Sequence, residues 1–267
     1  MSKPRQKLQG VQRNQSFDDD LIQGMSFEAV TLEQCSFVRT EFDHCSGSYL
    51  SFKDCTIRNP SFRSCGDWDH ISLINTTVEK IEEPLDVSMF SRIEGSTLSD
   101  IIINGRRQKD HTPLALINST ISGRLANFTI AENQSQNQLL GCDLRDCAAY
   151  NVRFLGIPVD RCQLPNSVHS LVITNWSDLA DEVFSKATFT FKSPVSTKAE
   201  KTAASIVMDE IQLDAGTFHS THGTQRLGAE KLNLTRDRGA RLVSELLDTT
   251  VPVEIANAIR AIYAPRL

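Results

Sequence analysis

From Phe17 the chain sets a large apolar side chain at every fifth position: Phe17, Ile22, Phe27, Leu32, Phe37 and Phe42, then Phe52, Ile57 and Phe62, with Gly47 the single exception. Two residues before these stand smaller, mostly apolar residues, among them Val30, Cys35, Thr40, Cys45, Leu50, Cys55 and Pro60. The other positions of each five are largely polar. An α-helix returns to the same face every 3.6 residues and a strand every two, so a five-residue period belongs to neither. It fits a coil with four short sides that turns a corner every five residues, each side pointing one large and one small residue inward. Four sides make about twenty residues per turn, and successive turns stack at about 4.8 Å through backbone hydrogen bonds. No turn can bury its own inward residues, so such a coil needs several stacked turns and capped ends.

The beat returns at Leu139, Leu144, Ala149, Phe154, Val159 and Leu164, with Cys142, Cys147, Val152, Ile157 and Cys162 two residues before five of them. Between the two runs the frame is broken but recoverable, through Ile93, Leu98 and Ile103, then Leu116 and Ile121, then Leu125 and Ile130. The first and last runs differ in frame, which predicts insertions at 66–90, 104–113 and 131–138. The coil is expected over 15–178, with 165–178 as its fraying end.

The coincident Phe and Cys columns, as in Cys35-Ser36-Phe37, Cys45 and Cys55-Thr56-Ile57, resemble the pentapeptide-repeat family over about residues 15–175. Members of that family fold as right-handed quadrilateral β-helices. The resemblance therefore implies a mainly β chain: a right-handed quadrilateral β-helix, or pentapeptide-repeat solenoid, followed by a small C-terminal α-helical segment. The alternating Cys and Phe texture is similar to the quinolone-resistance branch, whose rods match B-form DNA in width and charge and bind DNA gyrase. The chain departs from the family consensus in one respect: the usual Ala before an Asp-Leu or Asn-Leu pair is almost absent, and Cys, Val and Thr replace it.

Outside the coil the material changes. Residues 1–14 hold four basic residues and no acidic one, and are expected to be a basic disordered arm. After about residue 179 the beat stops, and 179–267 is expected to be a strand, a linker and a helical cap or dimerisation region. Phe184–Phe191 alternates like a strand, and 192–199 reads as a linker. Helices are expected over 199–213, where Ala203, Ile206, Val207, Glu210 and Ile211 share a face, over 236–248, and over 251–263. The last carries an apolar stripe of Val251, Ile255, Ile259 and Ile262, with Pro252 in its first turn. Residues 216–228 read as a polar loop.

Chemistry-bearing residues are few. All 7 Cys lie in the repeat region, and five occupy the small inward position, which predicts buried, reduced thiols acting as small hydrophobes. Cys35 and Cys55 are twenty apart, as are Cys45 and Cys65, so each pair neighbours across one turn. An odd cysteine count without a secretion signal points to a reducing compartment. No ligand spacing suits zinc, and His219-Ser-Thr-His222 reads as a solvated loop. No nucleophile elbow, P-loop, metalloprotease or dinucleotide fingerprint occurs. The expectation is accordingly no catalytic residue, no metal and no cofactor. Seven N-x-[ST] sequons, four of them at Asn14, Asn75, Asn118 and Asn127, read as polar turn residues. The basic cluster Arg226, Lys231, Arg236, Arg238 and Arg241 is interleaved with acids and reads as a solvated face. No run of 18 apolar residues exists, which excludes a membrane-spanning helix.

The net charge is -5, carried by the coil: 15–178 holds 22 acidic and 13 basic residues. A non-catalytic binding or scaffold protein that acts through its β-helix surface in protein–protein contact is the function these features favour. Outward acids such as Glu28, Glu33, Asp43 and Asp54 are its candidate partner-binding residues. The family resemblance implies two alternatives: an acidic DNA mimic that occupies a basic DNA-binding enzyme such as gyrase or a topoisomerase, and an adaptor of the bacterial secreted-effector kind. Neither contacts nucleic acid or a membrane directly, and the C-terminal helices offer a surface for a homodimer. The expected location is the cytoplasm, or a host cell entered without a cleavable signal peptide.

Overall fold

The computed structural model describes residues 6–105, 114–131, 138–155, 161–164, 171–174, 176–214, 240–247 and 250–264. The first four of these segments wind into a parallel β-solenoid of about six turns. Its five-residue unit is visible at the backbone. Asn14, Asp19, Gly24, Ala29, Gln34, Arg39, His44, Tyr49, Asp54, Asn59 and Ser64 all have positive φ, so each marks a corner. A non-glycine residue in this region is strained. Cross-turn hydrogen bonds compensate: the corner N–H of Gln34 donates to Lys53 O at 2.9 Å and that of Arg39 to Arg58 O at 2.9 Å. The sequons at Asn14, Asn75, Asn118 and Asn127 all occupy left-handed positions. Asn tolerates that conformation well, so these are turn residues, as expected.

Short parallel strands form the sides. On one side Leu32, Phe52, Leu73, Ile93, Leu116 and Leu139 stack in register. On the next, Phe37, Ile57, Val78, Leu98 and Ile121 do the same, with Phe17 stacked on Phe37 at 4.8 Å between ring centroids. Ile22, Phe42 and Phe62 make a third. Phe27, Phe37, Phe42, Phe52 and Ile57 are buried and Phe62 packs half-buried against them, as the five-residue count requires.

The Gly47 exception has a structural cause. Gly47 pairs with Trp68 on the next turn, and a Cβ on Gly47 would lie 2.5 Å from the indole. The ring fills that space and meets Phe27, Phe42 and Phe62 at 6.0, 6.1 and 6.0 Å. This corrects the expected insertion at 66–90. One extra residue falls between Phe62 and Trp68, and the coil then continues through Leu73, Val78 and a 3-10 turn at Val87–Met89. The later breaks sit where expected: Ile93, Leu116 and Leu139 are twenty-three residues apart. Of the segments responsible, 106–113 and 132–137 lie outside the described residues.

One inner corner is polar by design of its hydrogen bonds. The N–H of Cys35 donates to Cys55 Sγ (3.4 Å), that of Cys55 to Thr76 Oγ1 (3.4 Å), that of Thr76 to Ser96 Oγ (3.0 Å) and that of Ser96 to Ser119 Oγ (3.1 Å). Each hydroxyl in turn donates to the carbonyl two residues back, at Ile74, Glu94 and Ile117. A small side chain with one donor and one acceptor thus satisfies a buried backbone group that the corner withholds from the strand ladder.

Two expectations at the chain's start and end are corrected. Gln6–Arg13, expected within a disordered arm, is a strand paired in parallel with Met25–Glu33, because Leu8 and Phe27 continue the inward column. Phe184–Phe191, expected as a strand, lies inside the helix α1 (Trp176–Lys192). Trp176, Ala180, Val183, Phe184 and Ala187 recur at helical spacing and are buried, and this stripe overrides the local alternation. Helix α2 (Lys198–Asp214) forms as expected and packs on α1. The expected helix over 236–248 is instead, where described, a strand Ala240–Leu242 and a 3-10 turn Ser244–Leu247. The strand pairs antiparallel with Val172–Thr174, which commits its backbone groups sideways, and the pair marks the change from coil to cap. Helix α3 (Val253–Tyr263) closes the cap, with Ile259 and Ile262 buried. The 3-10 turn packs on the last long strand, Cys147–Leu155, and coil and cap share one apolar core. No described helix is long and apolar enough to cross a membrane.

Gly47→Leu should destabilise by about 1–3 kcal/mol through overpacking, and Trp68→Gly by about 3–5 kcal/mol through the cavity it leaves. Combined, they should cost clearly less than the sum in chemical denaturation; strict additivity would show that the two positions do not share one space. Thr76→Val, which keeps the shape and removes the hydroxyl, should cost about 1–3 kcal/mol because the Cys55 N–H loses its acceptor.

Candidate interaction surfaces

The outward positions beside each inward residue form ladders across turns, and opposite charges are stacked in them. Lys7 meets Glu28 at 2.8 Å and Arg13 meets Glu33 at 2.5 Å. Arg39 holds Asp19 through two bonds of 2.6 Å. Arg58 meets Glu79 at 2.6 Å and Arg63 meets Glu41 at 3.1 Å. Further along the coil, Arg92 pairs with Glu94 and Arg145 with Asp143. The Arg39 guanidinium keeps the Asp19 carboxyl below its ordinary range.

The four acids singled out in the sequence fall within this scheme and do not form one stripe. Glu28 and Glu33 sit on two different sides, both within Met25–Glu33, each against a cation of the first turn. Asp43 lies on a third side, in Glu41–Asp43. It accepts from Gln23 Nε2 at 2.7 Å and from the neighbouring His44 ring, and Gln23 contributes most to lowering its carboxyl. Asp54 stands at a left-handed corner and accepts from Asn75 Nδ2 at 3.3 Å. All four have partners one turn away or next door, so their first role is to hold turns together.

The inward thiols are shielded from water. Cys35, Cys45, Cys55, Cys142 and Cys147 are buried, and Cys65 and Cys162 partly so; none of the seven is in a disulfide. Burial pushes Cys55 from its ordinary 9.0 up to about 11 and Cys147 up to about 12. Cys142 is pushed up by its hydrogen bond with the Cys162 thiol and by burial. No group of three metal-ligating side chains occurs among the described residues. His219 and His222 lie outside them, as do Arg226, Lys231, Arg236 and Arg238 of the basic cluster.

The cap presents a different surface. Helices α1 and α2 form an antiparallel hairpin joined by 193–197; α1 has 17 residues, or about 25 Å. At this end Phe189 is 75% exposed, Phe191 37% and Val195 88%. The N-terminus of α2 is fixed by a capping box: Glu200 N donates to Thr197 Oγ1 at 3.2 Å, and Thr197 N to Glu200 Oε2 at 2.7 Å. Beside it a groove is lined by Phe191, Ser196, Lys198, Lys201, Thr202 and Ser205. Sequence reasoning missed these residues, because Phe189-Thr190-Phe191 looks like a strand and Val195 like linker. The helical recurrence of Trp176, Ala180, Phe184 and Ala187 was the available signal.

Left-handed corners every five residues, with one small and one large inward side chain between them, decide the architecture. The fold is that of a pentapeptide-repeat solenoid. Solved structures similar to it include HetL, a pentapeptide-repeat protein involved in regulating heterocyst differentiation in the cyanobacterium Nostoc sp. strain PCC 7120. It is 12% identical, and the match covers 61% of this chain and 90% of that one, with a TM-score of 0.26. Two structures of trypsin-treated QnrB1, a plasmid-mediated fluoroquinolone resistance protein, match at 15% identity. They cover 60% and 62% of this chain and 79% and 87% of theirs, with TM-scores of 0.17 and 0.16. No family model matches the sequence, and no curated protein matches it.

The thiol column fixes a pH dependence. Above its ordinary value of 9.0 a Cys55 thiol ionises in the unfolded chain but stays protonated in the solenoid up to about 11. The unfolded state then binds fewer protons than the native one, so stability is intact below pH 9 and falls as pH rises towards 11. Denaturation midpoints of Cys55→Ala should lose part of that alkaline decline. In the native protein near neutral pH, Cys55 and Cys147 should react with a thiol reagent far more slowly than in the unfolded chain; equal rates would show that the column is open.

Proposed function

We propose that the protein is a non-catalytic scaffold that works by binding a protein partner, with the solenoid as a rigid spacer and the α1–α2 hairpin as the partner-facing part. The observation that carries this is the exposure of Phe189 and Val195 at the hairpin's free end. Large apolar side chains left together in water mark an interaction site more often than an accident of packing. Two features support the division of labour. The coil interior is lined by its own apolar side chains around a cavity of about 60 Å³ between Phe37, Phe62, Trp68 and Phe90, and five of the coil's outward acids are paired with cations across turns. At those five positions the carboxylates face cations of the coil itself, which weighs against their forming the polyanionic stripe of an acidic DNA mimic.

Phe189→Ser with Val195→Ser should abolish retention of the partner in cross-linked pull-downs from the source cells. The thermal unfolding midpoint should stay unchanged, because neither side chain is in the core. Glu28→Lys, Glu33→Lys, Asp43→Lys and Asp54→Lys together should leave retention intact while lowering stability, since Glu28→Lys and Glu33→Lys each set a second cation beside Lys7 and Arg13. The reverse pattern would support the mimic, and inhibition of gyrase supercoiling by micromolar protein would establish it.

A further inference from the structure

We infer that the coil holds a binding site for a small uncharged apolar molecule, in a cavity behind a break in its wall. The cavity measures about 60 Å³, and its lining includes Phe42, Phe62, Trp68, Leu85, Met89 and Leu98. No carboxylate, amide or hydroxyl side chain lines it. The site is separate from the hairpin and from any partner that the hairpin binds.

The break belongs to one side of the coil. The ladders through Phe52, Leu73 and Ile93 and through Ile57, Val78 and Leu98 run on past the cavity. On the third side, among the described residues, Ser61–Arg63 pairs only with Glu41–Asp43 of the previous turn, and Leu85–Asp86 only with Ile103–Asn104 of the next. Phe62 and Leu85 thus follow one another in the inward column with no ladder joining their strands. The 3-10 turn Val87–Met89 packs on Trp68–Asp69 over the same stretch. Burial is graded to match. Phe37, Leu73 and Leu98, deep in the cavity, are buried, whereas Phe62, Trp68 and Met89 are only partly so and form its mouth.

The lining decides the chemistry of the occupant. A buried water needs several polar partners, which this lining does not supply, and a polar molecule would leave its own groups unbonded there. An apolar occupant instead restores the dispersion contacts that the lining side chains lack on their open side. Size sets the upper limit. A cavity of about 150 Å³ holds benzene, so this one suits about two or three carbon atoms, as in cyclopropane, or one xenon atom. Glu82 and Glu83 are exposed between Ile81 and Leu85, both of which line the cavity, so a chain headed by a carboxylate would meet like charge. Such a molecule would join the regular coil before Arg63 to the turns after Leu85, where the third-side ladder does not.

The test follows isotope-labelled methyl groups of the full-length protein by NMR as xenon, cyclopropane or butyrate is added. Xenon and cyclopropane should shift the signals of Leu73, Val78 and Leu98 saturably and leave those of the distant Val152 and Ile211 in place; butyrate should shift none of them. Val78→Ile adds a methylene to the space and should lose most of the xenon shift. Met89→Phe, at a partly exposed position that puts folding less at risk, should lose it too by closing the mouth. Met89→Ala enlarges the cavity and should admit benzene, which the parent protein excludes. No saturable shift with either xenon or cyclopropane would overturn the site. So would equal shifts at Val152 and Ile211, or an undiminished xenon response in both filled variants, since either marks non-specific partition. Tighter binding of butyrate than of cyclopropane would overturn the uncharged class of ligand. Retention of a partner through Phe189 and Val195 is read separately and stands or falls on its own.

Discussion

The backbone of this solenoid must enter the left-handed region once in every five residues, and the rest of the structure follows from that. Each corner removes one residue from the strand ladder and turns the next inward, where small side chains such as Cys35, Cys55 and Thr76 alternate with larger ones such as Leu50, Ile71 and Ile81. That residue sits among backbone groups the corner has left unbonded. Thr76, Ser96 and Ser119 answer with hydroxyls that accept from one turn and donate to another. Cys35 and Cys55 do the same more weakly, with sulfur. The thiols are thus corner residues with a hydrogen-bonding duty as well as small hydrophobes, and burial pushes the Cys55 thiol up.

The same constraint explains how the coil tolerates irregularity. Where a corner meets another backbone, only glycine serves: a Cβ on Gly123 would collide with the carbonyl of Ile101, and φ there is +118°. Where the inward space is already claimed, the column exchanges sizes between turns, as Gly47 and Trp68 do. Turns can lengthen from twenty to twenty-three residues without losing register, because added chain leaves at a corner and returns to it, so Ile93, Leu116 and Leu139 remain stacked.

This accounts for what could be read from the residues alone. The period of five is set by sterics within one turn, so Phe27, Phe37, Phe42 and Leu144 declared their burial directly. A one-residue slip near Gly66 hid Trp68, since a frame count cannot tell a slip from an insertion. The hydroxyl column was hidden for a similar reason: Cys55, Thr76, Ser96 and Ser119 are spaced by twenty-one, twenty and twenty-three. In the cap, the buried stripe of α1 contains Ala180 and Ala187, which carry little hydrophobic signal, while Phe189 and Phe191 carry much and are exposed. Hydropathy therefore pointed at the wrong face. The surface was legible in principle, because Arg13 with Glu33 and Asp19 with Arg39 are each twenty apart, the same spacing that pairs Cys35 with Cys55.

Charge is used in two different ways along the chain. In the coil, acids and bases alternate from turn to turn, and exposed pairs of this kind add little each. Each such pair links two neighbouring turns, as Arg13 with Glu33 and Arg58 with Glu79 do. The hairpin has no rungs to register, so the lysines of its first α2 turn serve no such pairing among the described residues, and they stand beside apolar side chains that the core does not need. A surface that neither folds the chain nor is neutralised by it is where a partner has most to gain. The solenoid shares one apolar core with the cap, so the hairpin is joined to the coil by packing as well as by the chain.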